Sequence, residues 1–465
     1  MRITALAGGI GAARFLRGLL HHLAVEPAGG TPADVTVIGN TGDDITLHGL
    51  RICPDLDTVM YTLGGGVCET EGWGRNDETH TVAAELRAHG TTEDWFSLGD
   101  RDIATHLVRT SLLARGTGLA EVTAHLCERW RPGVRLLPMT EDRVETHVLV
   151  DRETLRAARR RADDAARNER GPDGTASPAG PVSNDQLSGP GSSRVPDRGT
   201  QDRKLSDPRP HDPGRTGNNP RTIPGSTDDH NETIGNVTAQ SVESGRTTPP
   251  RGTNRAPLAG SPEDSARYEK IHFQEWWVRL RAGVPAHEIV AVGAEESRPA
   301  PGVLEAIASA DVVLLPPSNP VVSLGTILSV PGIRRALREG AAPVVGVCPI
   351  IGGAPVRGMA DACLAARGLP TSAATVAGLY ADFLDGWLVD DVDAPPRTGP
   401  DPTADGTRTA GPGRPPRPLV RALPLLMSDL PSAARIAGEA LHLAADLRTR
   451  EKTPQHGAGT GSVGR

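Results

Sequence analysis

Glycines that directly follow an apolar run are the first residues of this chain whose spacing could do chemistry. Residues 3–7 are apolar except for Thr4, and Gly8, Gly9 and Gly11 come immediately after them. Clustered glycines let the backbone approach a ligand, and a helix that begins there presents unpaired N–H groups and positive dipole charge. The spacing therefore predicts a phosphate-binding loop.

Acidic residues follow the next apolar run and could bind a metal ion. Asp43 and Asp44 come after residues 35–38, with Asp55 and Asp57 shortly beyond them. Mg²⁺ near a phosphate usually takes one or two protein carboxylates together with phosphate and water oxygens. The pattern favours metal or substrate binding by Asp44 and Asp57, whereas helix capping is an equally good interpretation of Asp55.

Four other polar residues stand in or beside predicted loops. Arg101 follows Leu98-Gly99-Asp100 and could contact an anion or a substrate, although a surface ion pair would explain it equally well. Asn40 ends the second apolar run, and Ser318 and Asn319 follow a later one. These three could bind a ligand through hydrogen bonds, and for Ser318-Asn319 a simple turn is the alternative.

Arg14 distinguishes this glycine loop from two familiar types. It stands where the third glycine of the dinucleotide fingerprint G-x-G-x-x-G would fall, and no Gly-Lys-Ser/Thr follows as in a P-loop. A dehydrogenase that binds a dinucleotide stays open as an alternative, supported only by the acidic residues after the second apolar run.

Histidines, tryptophans and cysteines predict no separate site. His80, His106 and His272 have no partner at metal-ligand spacing and are interpreted as structural, and Trp276-Trp277 as core. The cysteines are scattered, without a C-x-x-C pair, which predicts neither a disulfide framework nor a zinc site. No Gly-x-Ser-x-Gly sequence or Cys–His pairing indicates covalent catalysis.

Alternating apolar runs and amphipathic patterns predict the elements that position these residues. They are typical of an α/β fold, here a Rossmann-like, mainly parallel sheet with flanking helices. Strands are predicted at 3–7, 35–38, 136–139, 147–150, 271–273, 289–293, 312–315, 344–347 and 421–424, and helices at 12–23, 56–62, 78–89 (capped by Asp77), 105–115, 119–129, 275–281 and 431–445. Ligands of open α/β sheets bind beyond the carboxyl ends of the strands, so loops 8–11, 39–44 and 318–319 should meet there.

Composition divides the chain into folded and unfolded parts. No Phe, Trp or Tyr lies between Asp151 and Arg267, where the sequence is rich in Gly, Pro, Ser and Arg. Such a stretch cannot bury enough apolar surface to fold. We predict a catalytic domain formed by 1–158 and 266–394, a disordered insertion at 159–265 with a frayed helix at 153–167, a linker at 395–418, a last strand and helix within 419–449, and a loose tail at 450–465. Pairing of strand 147–150 with 271–273 would place the insertion at a hairpin tip.

Charge and hydropathy argue against two classes of partner. The net charge is −7 with both signs interspersed, so no basic surface for nucleic acid is expected. No apolar run has the length of a membrane span, and the first residues lack a signal-peptide pattern. We therefore expect a soluble protein of the cytoplasm.

Together these motifs resemble one family, the transferases that attach 2-phospholactate or phosphoenolpyruvate to the deazaflavin Fo in coenzyme F-420 biosynthesis. The matching segments are residues 8–15, Gly42-Asp43-Asp44, 53–61, 98–106, 271–277, 317–323 and 357–361. The combination of Pro-Asp-Leu-Asp-Thr with Gly-Asp-Arg-Asp is the most specific of them.

This resemblance implies a reaction. A guanosine-diphosphate-linked three-carbon acid would pass its phospho-acid group to the ribityl hydroxyl of Fo, with GMP as leaving group and Mg²⁺ required. The products would be dehydro-F-420-0 from an enolpyruvyl donor or F-420-0 from a lactyl donor. Closeness to actinobacterial members implies the enolpyruvyl donor, and the family implies a homodimer.

The resemblance also implies a role for each candidate residue. The diphosphate would be held by Gly8, Gly9, Gly11 and Arg14. Asp44 and Asp57 would hold Mg²⁺, and Arg101 and Asp57 would lie near Fo. A nucleotide-sugar-binding regulatory protein of related fold is the alternative, and Fo-dependent release of GMP would separate it from a transferase.

Overall fold

The structure, a computed structural model, describes residues 1–26, 32–91, 95–168, 267–395 and 418–452. Its strands are β1 (Arg2–Ala7), β2 (Asp34–Gly39), β3 (Ile45–Leu47), β4 (Leu50–Ile52), β5 (Arg135–Pro138), β6 (Glu145–Asp151), β7 (Tyr268–His272), β8 (Ala286–Val292), β9 (Val312–Leu315), β10 (Val344–Val347), β11 (Ile350–Ile351), β12 (Ala354–Pro355), β13 (Gly386–Val389) and β14 (Leu419–Ala422). Its helices are α1 (Gly9–Val25), α2 (Pro54–Leu63), α3 (Thr81–Ala88), α4 (Asp100–Ala114), α5 (Leu119–Trp130), α6 (Arg152–Asn168), α7 (Val303–Ser309), α8 (Leu324–Ser329), α9 (Ile333–Glu339), α10 (Ala360–Ala365), α11 (Ala373–Leu379) and α12 (Leu430–Lys452).

A seven-stranded sheet in the order β14-β13-β10-β9-β1-β2-β5 forms the core, and every neighbouring pair is parallel. All residues of β9, β10 and β13 are buried, because helices cover both faces of the sheet. The predicted α/β fold with a Rossmann-like, mainly parallel sheet is confirmed.

The order of the strands creates a crevice beside β1. The chain runs from β1 through β2 to β5 on one side, then returns to β9 and continues outward through β10 and β13. Connections leave β1 and β9 in opposite directions, so the loops that follow them border the usual ligand crevice of an open α/β sheet. The loops after β1, β2 and β9 contact one another there, as predicted.

A smaller antiparallel sheet, β7-β6-β8, packs beside the large one. The predicted pairing of 147–150 with 271–273 is confirmed, with Val148 opposite Ile271. Helix α6 runs to Asn168, so the helical part extends into the predicted insertion, and Arg159 is ion-paired to Glu275. The rest of that predicted insertion, residues 169–265, lies outside the described residues, as do most of the predicted linker and tail.

Some predicted boundaries are wrong for identifiable reasons. Asp77 does not cap the third helix, which begins at Thr81; Asp100 instead accepts hydrogen bonds from the backbone N–H groups of Thr81 and Val82, at 3.0 and 2.9 Å. This cap comes from a later helix, so local spacing does not reveal it. The helix predicted at 275–281 is a π-helical turn, Glu275–Arg279, and Trp276 within it is buried as expected.

The first and last helices pack closely under the sheet. A Cβ added at Gly18 of α1 would lie 2.4 Å from the carbonyl carbon of Ala433 in α12, and one at Gly438 would lie 2.8 Å from His22. Small residues therefore let the two helix backbones approach each other. Among the described residues, no helix combines the length and the apolar character needed to cross a membrane.

Candidate active site

The predicted phosphate loop joins β1 to α1 and packs against the loop after β9. Gly8 is extended and Gly9 has φ +71°, which favours glycine. The Gly8 N–H donates to Ser318 Oγ at 3.2 Å, and a Cβ at Gly11 would lie 2.2 Å from the Pro317 carbonyl oxygen. Gly8, Gly9, Gly11 and Ser318 are thus brought together, with no space for a Cβ at Gly8 or Gly11.

Asp55 faces this loop rather than capping its own helix. It lies in the first turn of α2, whose N-cap position is Cys53, and it is buried. Burial raises the pKa of Asp55 to about 7, against hydrogen bonds from Asn40 and from the Gly9 backbone. Its carboxyl group therefore already lies at the N-terminus of α1, where a phosphate was predicted to bind.

Asn40 connects the loop after β2 to helix α2 and to the loop after β9 through hydrogen bonds. Its amide nitrogen donates to Asp55 Oδ2 at 2.9 Å and to the Val322 carbonyl at 3.3 Å, and its Oδ1 accepts from the Gly42 N–H at 2.9 Å. Asn319 plays a similar local part, since its Oδ1 accepts from the N–H groups of Val321 and Val322. In this structure Asn40 thus joins two loops, whereas Asn319 supports its own loop.

Asp44 is fully buried in the loop after β2, and only one of its oxygens is engaged. Its Oδ2 accepts from Arg51 Nη2 at 2.8 Å and from the Cys53 thiol at 3.0 Å. Its Oδ1 is buried with no hydrogen-bond partner among the described residues. Burial raises the pKa of Asp44 to about 6, and the Arg51 guanidinium opposes that rise. A buried carboxylate oxygen without a partner is energetically costly, and a bound cation or hydrogen-bond donor would remove that cost.

Asp57 contrasts with Asp44 because both of its oxygens are engaged. The Arg109 guanidinium donates Nη1 to Oδ2 at 3.0 Å and Nη2 to Oδ1 in a second, short contact. Arg109 is 1% exposed, and His106 Nδ1 lies 3.8 Å from Asp57 Oδ2. Although burial lowers it, the Asp57 carboxylate brings the pKa of Arg109 above its usual value.

The remaining predicted residues lie at the edges of this arrangement. Arg14 is half-buried, and the pKa of its guanidinium is lowered by burial and by the nearby charges of Arg357 and Arg17. A cationic cluster therefore adjoins the glycine loop. Arg101 is the second residue of α4 and its side chain is exposed. It lies about two helical turns before Arg109. The contacts described do not bring Arg101 to Asp57.

These geometries fit a Mg²⁺ site in which the substrate's phosphate oxygens would supply part of the ligands. Asp44 offers an oxygen without a partner among the described residues, and it lies buried with Asp43, Asp55 and Asp57. Arg51 pairs with Asp44 and Arg109 with Asp57. Within the described ranges, no group of three or more His, Cys, Asp or Glu side chains could hold an ion alone. A metal here would need phosphate oxygens as further ligands, which is how Mg²⁺ usually binds.

Comparison with known proteins settles the family of this arrangement. The sequence model described as 2-phospho-L-lactate transferase CofD matches residues 3–162 and 236–406. The chain belongs to the CofD family. The dehydrogenase alternative is therefore withdrawn, and the chain is a transferase of the family that serves coenzyme F-420 biosynthesis.

Curated relatives of this CofD-family chain span nearly its whole length. The phosphoenolpyruvate transferase of Thermobifida fusca is 46% identical over 454 residues, 97% of this chain and 100% of that protein. The phosphoenolpyruvate transferase of Streptomyces coelicolor is 44% identical, covering 96% of this chain and 99% of its own. That of Mycolicibacterium smegmatis is 37% identical with 96% and 99% coverage.

Sequence reasoning missed the arginines that hold the aspartates of this CofD-family site. Arg51 and Arg109 were not singled out, and His106 and His272 were interpreted as structural. His272 Nε2 lies 3.1 Å from the Asp44 carbonyl, and burial, with His147 nearby, lowers the pKa of His272 to about 4. A signal for Arg109 exists, because Asp102, His106 and Arg109 repeat at helical spacing along the face of α4 that the structure buries.

Proposed function

We propose that this chain transfers a phosphoenolpyruvyl group from a guanosine-diphosphate-linked donor to the ribityl hydroxyl of Fo, releasing dehydro-F-420-0 and GMP. A 2-phospholactyl group, which would give F-420-0, is the second donor to test. The observation that carries the proposal is the pair Asp44 and Asp57, each buried and each held by its own arginine, beside a glycine loop at the sheet crevice. The name phosphoenolpyruvate transferase, shared by relatives matched end to end, favours the enolpyruvyl donor.

The donor diphosphate would bind at the N-terminus of α1. Backbone N–H groups of the glycine loop, the helix dipole and the cationic cluster around Arg14 all favour an anion there. Because the Asp55 carboxyl lies against Gly8 and Gly9, the phosphates must displace it or share the site with it. Ser318 and Asn319 would line the other side of the loop.

The transfer itself replaces one P–O bond by another. The ribityl oxygen attacks the phosphorus that carries the acid, the bond from that phosphorus to the GMP oxygen breaks, and the hydroxyl proton is lost. Asp57, bound by the Arg109 guanidinium, is the group we assign to orient the hydroxyl and accept its proton. Arg101 would contact Fo or the charge that develops in the transition state.

Mg²⁺, when bound, supplies positive charge that offsets the charge on the reacting phosphate. Asp44 and Asp57 are the residues we propose to hold it. Phosphoryl-type transfer depends mainly on positioning and charge neutralisation, so no covalent nucleophile is required.

Mass spectrometry of reactions with purified protein tests the proposal. Fo, Mg²⁺ and either the enolpyruvyl or the lactyl donor would be mixed, with matched reactions that lack Fo or contain EDTA. An Fo-phospho-acid adduct formed together with GMP supports the transferase, and the preferred donor identifies the acid. Guanine nucleotide binding without Fo-dependent GMP release would instead favour the regulatory protein. Cytoplasmic location and a homodimer stay predictions, the latter checked by light scattering.

A further inference from the structure

We infer that Arg109 is a positioning residue that sets the orientation of Asp57 and its separation from Asp44. This inference rests on the proposed function and goes beyond it by assigning a role to a residue outside the predicted site. It identifies the α2–α4 contact as the part of the fold on which the geometry of the carboxylate pair depends.

The first step of the argument is the contact between Arg109 and Asp57. Both terminal nitrogens of the guanidinium bind the two carboxylate oxygens, and both side chains are nearly inaccessible to solvent. A planar fork fixes the plane of a carboxylate as well as its location, which a single ammonium group does not do. The rotation of the Asp57 carboxylate is therefore determined by Arg109.

A second contact links the same guanidinium to the other aspartate. Arg109 Nη1 also donates to the backbone carbonyl of Arg51, at 3.4 Å, and the Arg51 side chain holds Asp44. Arg109 thus contacts Asp57 directly, and it also contacts Arg51, the residue that is paired with Asp44. Because Mg²⁺ demands nearly ideal octahedral geometry at short ligand distances, the spacing of two carboxylates that share it must be closely set.

Further polar contacts keep Arg109 in register. Tyr61 lies one turn after Asp57 on α2, and its hydroxyl donates to Asp102 Oδ1 at 2.6 Å. Asp102 Oδ2 lies 3.3 Å from His106 Nε2, and His106 Nδ1 lies 3.1 Å from Arg109 Nη1. Helices α2 and α4 are therefore joined at two levels, which opposes rotation of either helix about its axis.

A purely structural ion pair elsewhere in the chain provides the matched control. Arg159 binds both oxygens of Glu275, through Nε at 2.7 Å and Nη2 at 2.9 Å, and also pairs with Glu269. It connects α6 to the π-helical turn and β7, as Arg109 connects α4 to α2. Its described contacts do not include Asp44 or Asp57.

The deciding experiment compares Arg109→Lys with Arg159→Lys in the full-length protein. Lysine keeps the positive charge and loses the planar fork, so it separates charge from orientation. We expect Arg109→Lys to lower kcat about 10- to 100-fold, the range seen when support of a functional ligand is lost, with KM for Fo and donor nearly unchanged. Mn²⁺ affinity, measured by electron paramagnetic resonance with GDP present to supply the phosphate oxygens, should fall about tenfold. Arg159→Lys should leave kcat and Mn²⁺ affinity at wild-type values.

Two results would overturn the inference. One is an Arg109→Lys variant with wild-type kcat and wild-type Mn²⁺ affinity; the other is an equal loss in both variants, tracking their melting temperatures. If Arg109→Lys does not fold, Tyr61→Phe replaces it, because it removes only the hydroxyl that donates to Asp102. A several-fold fall in kcat at an unchanged melting temperature then supports positioning, and no change opposes it.

Failure of the proposed function would be recognised separately. If the wild-type protein forms no adduct with either donor, the transfer reaction is wrong for this chain. The Mn²⁺ measurement with GDP then decides about Arg109 alone, since it needs neither Fo nor a donor that carries the three-carbon acid.

Discussion

The glycine loop and the carboxylate pair lie at one crevice but are built in opposite ways. The loop is shaped by backbone: Gly8 and Gly11 pack against Ser323 and Pro317 at distances that leave no space for a Cβ. The carboxylates are shaped by side chains, because Arg51 and Arg109 each bind one aspartate inside the protein. The glycine loop therefore depends on the absence of side-chain atoms, whereas the carboxylate pair depends on the pairing of opposite charges.

This difference teaches what each region tolerates. The loop needs glycine because a Cβ has no space there. A larger residue should therefore act sterically, by weakening binding of the ligand that contacts the loop and by disturbing the local packing. The carboxylate region depends on paired charges in a dry environment, where removal of one partner leaves the other unpaired. Substitutions should therefore separate the two regions by their effects on turnover, on donor binding and on stability.

The largest effect is expected for Asp57→Asn. Loss of this carboxylate should lower kcat at least about 1,000-fold, since it removes the proposed proton acceptor and metal ligand together. Arg109 is left buried without its counterion, so the free energy of unfolding should also fall by about 3–5 kcal/mol. Steady-state kinetics and urea denaturation measure the two effects.

Asp382→Asn is the matched control for that variant. Asp382 pairs with Arg334 through both oxygens, but on the surface and away from the crevice. It should keep wild-type kcat and lose no more than about 1 kcal/mol of stability. Near-normal turnover of Asp57→Asn would remove Asp57 from the mechanism.

A large effect on metal dependence is expected for Asp44→Asn. The orphaned Oδ1 becomes part of a neutral amide, while Arg51 and Cys53 keep an acceptor nearby. Loss of a group that only supports a metal ligand typically weakens metal binding about 10- to 100-fold. Because Asp44 is proposed as a ligand itself, the Mg²⁺ concentration for half-maximal activity should rise by more than this. Product formation followed across a Mg²⁺ titration gives this value. Unchanged Mg²⁺ dependence would contradict the assignment of Asp44.

An intermediate and steric effect is expected for Gly11→Ala. The new Cβ would lie 2.2 Å from the Pro317 carbonyl oxygen, so the loop must shift. KM for the guanylated donor should rise about tenfold with KM for Fo unchanged, and stability should fall by about 1–3 kcal/mol as in other overpacked sites. Gly378→Ala is the control: no atom lies within 4 Å of its added Cβ, and it should gain up to about 1 kcal/mol. Equal rises in both KM values would mean that the loop does not serve the donor alone.

The smallest effect is expected for deletion of residues 171–260. Strands β6 and β7 pair on either side of this segment, so the small antiparallel sheet forms without it. The variant should retain kcat and both KM values within about twofold, because loop length changes closure entropy only slowly. A large loss of turnover in a protein with a normal melting temperature would show that the segment contributes to function.

Much of the sheet could be predicted from sequence because its strands are buried on both faces. Val312–Leu315 and Val344–Val347 were predicted residue for residue, since such strands read as continuous apolar runs bounded by loops. The α3 cap was not predictable in the same way. Its acceptor, Asp100, begins another helix, and a pattern search along the chain looks only at neighbouring residues.

The candidate site shows the same division. Glycines after a strand and paired aspartates are local signals, and both lie at the crevice. The local signal for Arg109, its helical spacing with Asp102 and His106, is weak, because a charged residue on an amphipathic helix is normally solvated. The burial of Arg109 depends on Asp57, which is far from it in sequence. The exposed Arg101 was the more conspicuous arginine, and its proposed contact with Fo stays a prediction.

The close packing of α1 against α12 has a consequence for synthesis on the ribosome. Helix α1 emerges before the other described helices, yet its neighbour α12, with Ala433 against Gly18, is translated after all of them. Phe15 and Leu16 on α1 are fully buried in the finished protein. A nascent or prematurely terminated chain cannot complete this helix pair, so it emerges with apolar surface that chaperones and proteases recognise. Quality control can thereby distinguish full-length from truncated copies before any substrate is met.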